Sequence, residues 1–458
     1  MKLQRLTLAN FRGFDQIELD IATDVTVIAG VNGVGKSGVL KALASAMSLA
    51  LPRFTASTEV PLGLADTDVQ FSKAGLSLSA ELSLDAADIY IDITRAAPLE
   101  KDKAEALLKR RDDLRFATRE TKKGSKEEQA INDDIRLIDL QLAPVSDVPV
   151  VRILPKSPDI VPEEICAKGK VSNVQPIAVF YSTARFFSRL PPVLPKTKSV
   201  DLAAAYDKAL NQMEVSLNDF ANWYRVLVDD KPPELTTRMF QQLEAAVSVF
   251  LPGVSNLQIH ADRPPRFSVD KNCSHFYLEQ LSDGERGLLA LVFDLTRRLA
   301  IANPNSNNPI AEGVALVMID EIELHLHPKW QRQVLRRLRD AFKNCQFVVT
   351  SHSPQVIGQV RPEALRLLHH DASGKVTLVP VAQSFGMDSN WILQNVMGVP
   401  ARDYETEQRL STIYQAIDEG KLQDARALAE SLRSDIGDFP DLQEALALLD
   451  RFELLGSE

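Results

Sequence analysis

Eight consecutive residues, Gly30-Val31-Asn32-Gly33-Val34-Gly35-Lys36-Ser37, constrain this 458-residue chain more than any others. They fit the pattern GxxxxGK[ST] without exception. Residues 24–28 before them read as a short apolar strand, and residues 38–49 after them carry helical periodicity with many alanines. Strand, glycine-rich loop and helix start together make a phosphate cradle. Glycines let successive main-chain N–H groups wrap an anion, and the helix start adds its positive end. The candidate nucleotide-binding residues are therefore Gly30, Asn32, Gly33, Val34, Gly35, Lys36, Ser37 and Gly38. Lys36 is expected to reach the β and γ phosphates, and the Ser37 hydroxyl to ligate Mg²⁺. A glycine-rich turn formed by chance would not explain the strand before it and the helix after it.

A metal site needs a carboxylate as well. Ala315-Leu316-Val317-Met318-Ile319-Asp320-Glu321 is an apolar strand ending in two acids, the form of a Walker B element. Asp320 is expected to hold Mg²⁺ through water, and Glu321 to polarise the attacking water. Alone, the pair could equally cap the next helix. Leu281-Ser282-Asp283-Gly284-Glu285-Arg286 precedes a helical stretch at 287–299, and its serine and N–H groups suit a γ-phosphate. A plain Ser-Asp helix cap fits the same local chemistry. Residues 347–350 read as a strand leading into Ser351-His352-Ser353-Pro354. The chain opens with Asn10-Phe11-Arg12-Gly13-Phe14.

In this order and spacing the motifs resemble those of the SMC/RecF-like, ABC-type AAA family ATPases, over roughly residues 1–370. LSDGER is similar to the LSGGQ signature, with Asp283 in place of the first glycine of the pair. The resemblance implies an α/β fold, an ABC-type P-loop ATPase head with a short helical-hairpin insertion and a C-terminal helical tail. It implies ATP and Mg²⁺ as cofactors and a head-to-tail homodimer, or a higher oligomer. In such a dimer Ser282, Asp283, Gly284 and Glu285 complete the partner's ATP site in trans. It also implies that Glu321 and His352 are catalytic, with His352 as the switch histidine, and that Arg12 approaches the nucleotide. Glu323-Leu324-His325-Leu326-His327-Pro328 resembles the D-loop of soluble members. His325 and His327 read as structural, and Gln70 is a poor candidate for the Q-loop glutamine.

Within the family the chain resembles the PtuA-type ATPases of Septu and retron-linked anti-phage systems. The less specific markers are PIAVFYSTAR with Arg185, Phe220-Ala221-Asn222-Trp223 and Trp391 with Val396-Met397-Gly398. This resemblance implies a regulatory ATPase that controls a separate HNH-type nuclease encoded nearby. No DxD follows His352, so a Toprim nuclease like that of OLD-family proteins is not expected in this chain. Two other readings stay open: a RecF-like DNA-repair ATPase that binds DNA directly, and a non-catalytic nucleotide-gated scaffold.

Charge bears on those alternatives. Lys and Arg total 52 against 62 Asp and Glu, a net −10. Residues 401–458 hold 14 acids and 6 bases, or −8, which leaves −2 for the rest. The chain has no whole-protein basic footprint for nucleic acid, so DNA contact needs a local patch. The densest basic stretch is a helix expected at 329–343. No apolar run approaches the roughly 20 residues of a membrane span. The N-terminus lacks a signal-peptide apolar core, and three scattered cysteines suit a reducing cytosol, so a cytoplasmic location is expected.

The expected organisation is an N-terminal ATPase lobe (1–100), a helical hairpin (101–142), an intervening strand and helical region (143–253), a C-terminal ATPase lobe (254–387) and an acidic helical tail (388–458). Within these, 144–176 reads as proline-punctuated loop. Residues 254–300 read as strand, loop and helix. Leucine and alanine stripes in 405–418, 421–433 and 441–455 could pack on one another or on a partner.

Overall fold

The computed structural model describes residues 1–96, 101–120, 147–157, 161–185, 200–211, 215–230, 232–260, 266–400 and 402–455, with isolated positions between 129 and 138. The second arm of the expected hairpin lies mostly outside the described residues. The first arm is a helix, Lys101–Glu120. Two compact units are present, Met1–Gly386 and Met387–Glu458.

The first unit is built on two main sheets. One is antiparallel, with strands β1 (Lys2–Phe11), β2 (Phe14–Asp20), β4 (Gly75–Ser83), β5 (Ala87–Ala96) and β6 (Val148–Pro155) in the order β2-β1-β4-β5-β6. Its strands alternate buried and open positions, as a half-solvated sheet requires. The other has six strands: β3 (Val25–Ala29), β7 (Ile177–Tyr181), β11 (Ala315–Ile319), β12 (Gln346–Ser351), β13 (Leu365–His370) and β14 (Val376–Val379). Their order is β14-β13-β3-β12-β11-β7, parallel except for β14. Every residue of β3, β7, β11 and β12 is buried; β7 and β11 are continuous apolar runs, while β3 includes Thr26 and β12 includes Gln346, Thr350 and Ser351. Helix α1 (Lys36–Phe54) packs between the two sheets and follows β3 through the glycine loop.

The topology places the chemistry. The P-loop follows β3, the Asp320-Glu321 pair follows β11, and His352 follows β12. All three lie at the carboxyl ends of neighbouring parallel strands, the edge where open α/β sheets form their binding crevice.

Three stretches differ from expectation. Residues 144–176 carry a strand, β6, and a helix, Pro162–Val171, rather than a proline-broken loop. Pro149 and Pro155 are tolerated because β6 is the outermost strand of its sheet, where a missing N–H costs no ladder bond. Between 254 and 277 the chain makes three antiparallel strands, β8 (Val254–His260), β9 (Arg266–Lys271) and β10 (Ser274–Tyr277). The basic helix is broken in two, Pro328–Gln331 and Val334–Ala341. The break after Arg332 lets Val334, Leu335 and Leu338 turn into the core while Arg337 donates to the Phe250 carbonyl.

The helix that carries the signature runs Asp283–Ala302 and is buried almost throughout from Leu288. It holds an internal ion network. Asp294 accepts from Arg298 Nε at 2.7 Å, Arg297 Nη2 at 3.0 Å and the Tyr181 hydroxyl at 3.0 Å. Burial alone would raise the Asp294 pKa, but the two guanidinium groups outweigh it and hold the carboxyl below its usual range. The network ties the signature helix to β7.

In the second unit, helices Tyr404–Asp418, Leu422–Ile436 and Pro440–Leu455 bury Leu410, Ile413, Ala425, Ala429, Leu432, Leu442, Ala445 and Leu449 against one another. The stripes read from the sequence are spent on this internal core. Asp403 caps the first of the three helices by accepting the Thr406 N–H at 3.0 Å.

Candidate nucleotide site

The loop backbone is already shaped as a cradle. Gly30, Gly33 and Gly35 have φ of 148°, 84° and 102°, a region that side-chain-bearing residues rarely enter. At Gly30 a Cβ would also come within 2.5 Å of the Leu368 carbonyl oxygen. Lys36 Nζ donates back to the carbonyls of Gly30 at 2.8 Å and Val31 at 2.9 Å, so it lies across the loop. Burial lowers the Lys36 pKa, opposed by the charges of Glu323, Glu321 and Asp320. Asn32 and Gly33 are exposed at the loop tip, while Val34 and Gly38 are buried. Arg12 packs its Cδ beside Gly38 and pairs with Asp68, Nε to Oδ1, at 2.7 Å.

Residues nearly 300 positions apart meet at the next step. Ser37 Oγ donates to Asp320 Oδ1 at 3.0 Å, and Thr350 Oγ1 donates to the same oxygen at 2.6 Å. A hydroxyl and a carboxylate side by side are hard oxygen donors that suit Mg²⁺ completed by water and phosphate. Glu321 follows with a left-handed backbone, φ 46°. Its N–H donates to Thr350 Oγ1 at 2.8 Å. The His352 N–H donates to Glu323 Oε1 at 2.6 Å, and its ring Nδ1 lies 3.1 Å from the same oxygen. Glu323 is buried, and its second oxygen has no hydrogen-bond partner among the described residues.

The signature residues are arranged differently. Ser282 is the N-cap of its helix and forms a capping box with Glu285. Glu285 is 5 % exposed and also pairs with Lys271, so its carboxylate points inward. Asp283 is exposed and pairs with Arg286. Gly284 lets the D-loop approach closely, since a Cβ there would meet the His325 carbonyl oxygen at 2.4 Å. Signature and D-loop thus form one surface. His327 serves as a helix cap, its Nδ1 accepting the Lys329 N–H at 3.2 Å.

Four residues that the motifs did not flag as functional belong to this site: Asp68, Arg185, Glu323 and Thr350. Glu323 and Thr350 stand within three positions of flagged residues. For Asp68 nothing in the sequence signals the pairing with Arg12.

Residues 1–153 match a family model described as "AAA ATPase domain", and residues 173–358 match one described as "AAA domain, putative AbiEii toxin, Type IV TA system". The "Retron Ec83 probable ATPase" of Escherichia coli is 28 % identical, over 95 % of this chain and 84 % of its own length. The Septu protein PtuA of Bacillus thuringiensis is 25 % identical, over 50 % of this chain and 60 % of its own. Two stretches of the chain thus carry AAA ATPase domain sequence, and the chain is similar over most of its length to a retron ATPase and over half of it to PtuA. The SMC head domain from Thermotoga maritima superposes with a TM-score of 0.40 at 14 % identity, over 84 % of this chain and 100 % of that one. No helix among the described residues is long and apolar enough to cross a membrane.

Proposed function

We propose that this chain binds and hydrolyses ATP as the regulatory subunit of an anti-phage defence complex, and that two copies join head to tail over two nucleotides. The contact between Ser37 and Asp320 carries the reading, because it sets a hydroxyl and a carboxylate against the mouth of a phosphate cradle. Lys36 turns from the loop carbonyls to the β and γ phosphates. Ser37 and Asp320 would hold Mg²⁺, which when bound would neutralise phosphate charge. Glu321 orients the attacking water and takes up its proton. His352, steered by Glu323, faces the γ-phosphate. The helix start at Ser282 and Gly284 of a second copy supplies N–H groups to that phosphate from the far side.

A separate HNH-type nuclease encoded nearby is the proposed effector. The relatives are a retron ATPase and a Septu PtuA, and this chain lacks a DxD after His352. The test is to purify the chain alone and together with its neighbouring gene product, then measure phosphate release and DNA cleavage. Phosphate release by the chain alone, and cleavage only with the partner, is expected. Cleavage by the pure chain would overturn the division of labour.

Direct DNA binding is a second reading. Lys329, Arg332, Arg336, Arg339 and Lys343 are all exposed. Salt-dependent retention of DNA that falls on Arg336→Glu and Lys343→Glu would favour it.

A further inference from the structure

Arg185 is buried, 7 % exposed, on the turn after β7, and it bonds to no carboxylate among the described residues. Its guanidinium is spread over main-chain carbonyls of the turn that follows β11. Nη1 donates to the Asp320 oxygen at 2.6 Å, and Nη2 donates to the Glu321 oxygen at 2.6 Å and reaches the Ile322 oxygen at 3.4 Å. Burial depresses its pKa to about 10, and the nearby Glu323, Asp320 and Glu321 charges oppose that shift, so it is a cation at neutral pH.

The peptide it grips is under strain. Glu321 has φ 46°, a conformation costing on the order of 1–3 kcal/mol for a residue with a side chain, and one that persists only when its surroundings enforce it. Here the enforcement is two-sided. Thr350 Oγ1 holds the Glu321 N–H, and Arg185 holds the Glu321 carbonyl and the carbonyl before it. Relaxing to right-handed φ would swing the Cα–Cβ bond, and with it the carboxylate, away from its present direction. A buried guanidinium with five N–H donors needs several acceptors in any role, and Nη1 also reaches the Ser182 carbonyl at 3.4 Å, so the placement of the bonds matters more than their number. Arg185 spans the two peptides that flank the Cα of Glu321.

We propose that Arg185 is a positioning residue for hydrolysis: its fork pins the Glu321 peptide in the left-handed conformation, and so aims the general base. The inference rests on the reading of Glu321 as the base that orients water. It assigns the β7 turn a role in turnover that none of the recognised motifs covers.

The experiment compares wild type, Arg185→Lys and Arg185→Ala for nucleotide affinity, using a non-hydrolysable ATP analogue with Mg²⁺, and for steady-state kcat and KM. Lysine keeps the charge, but a single ammonium cannot span both carbonyls. Arg185→Lys is expected to leave affinity and KM within about threefold and to lower kcat about 10- to 100-fold, since a base misplaced by about 1 Å loses that much. Arg185→Ala should lose at least as much kcat; if it fails to fold, Arg185→Lys decides alone. The effect must also vanish in the Glu321→Gln background, where no base is left to aim. Wild-type kcat in Arg185→Lys would overturn the proposal. So would a parallel loss of affinity and kcat, or a kcat loss that adds fully to that of Glu321→Gln. Absence of hydrolysis by wild type would instead overturn the ATPase reading on which the proposal rests.

Discussion

The P-loop half of the proposed nucleotide site and the signature half are held in opposite ways. The P-loop half is assembled over long sequence distances: Ser37 meets Asp320, Thr350 meets Asp320, and Arg185 meets the Asp320 and Glu321 carbonyls. Its polar groups bond to one another in an arrangement that a nucleotide and metal can take over. The signature half is local. Ser282 and Glu285 satisfy each other within one helix turn, and Lys271 closes the pair. The first half is therefore a site in waiting, and the second a finished helix start at which Ser282 and Asp283 are exposed. An incomplete site and a self-sufficient exposed helix start on one molecule suit the proposed site shared between two copies.

The sharpest way to break this contrast is to remove the general base. Glu321→Gln should cut turnover about 1,000-fold, within the range for losing a positioned base, while ATP still binds. It should also accumulate an ATP-bound dimer, visible as a doubled mass with ATP and Mg²⁺. An unchanged mass with ATP bound would count against a nucleotide-gated dimer. Lys36→Ala should weaken ATP binding about 100-fold, because in the proposed site the ammonium turns to the phosphates. Loss of turnover with intact affinity would mean that Lys36 stays on the Gly30 and Val31 carbonyls.

Smaller effects test the local half. Ser282→Ala removes an N-cap and should lower stability by about 1 kcal/mol in a denaturant titration, with affinity for ATP unchanged. A larger loss would show that Ser282 does more than cap its helix. Glu285 supplies a pH test. Its burial disfavours charge, but Lys271 and the Ser282 hydroxyl and N–H outweigh that and hold its pKa below 4.5. The folded value is depressed, so this carboxylate stabilises the fold above pH 4.5 and the contribution fades as pH falls through the lower folded value. Glu285→Gln should flatten that acid limb, read as melting temperature against pH. An identical acid limb in both proteins would remove the ion pair from the account.

The same contrast explains what could be read in advance. The P-loop and the β11 acids were legible because each is a contiguous string whose chemistry fixes its residue types, and the helix start at Ser282 was legible as a Ser-Asp cap. The strands β7 and β11 were legible from their unbroken apolar runs, and the three terminal helices from their leucine and alanine spacing. Asp68, Thr350 and the grip of Arg185 on the Glu321 peptide were not legible, because each acts through a partner brought close only by the sheet order. Proline misled at 148–155, since only the sheet shows that β6 is an edge strand. The amphipathic pattern at 329–343 hid a break after Arg332, because the basic residues Lys329, Arg332, Arg336 and Arg339 continue across it.

The central claim, one ATP site shared between two copies, is tested most directly by mixing two inactive variants. Lys36→Ala lacks a working P-loop but keeps its signature. Ser282→Arg keeps its P-loop but places a bulky cation at the helix start. Each alone should hydrolyse no ATP, and Ser282→Arg should still bind it. A one-to-one mixture should recover about a quarter of wild-type activity, because half of the dimers are mixed and each mixed dimer holds one intact site of two. No recovery, with mixed dimers demonstrated by mass, would contradict the shared site, as would wild-type turnover by Ser282→Arg alone.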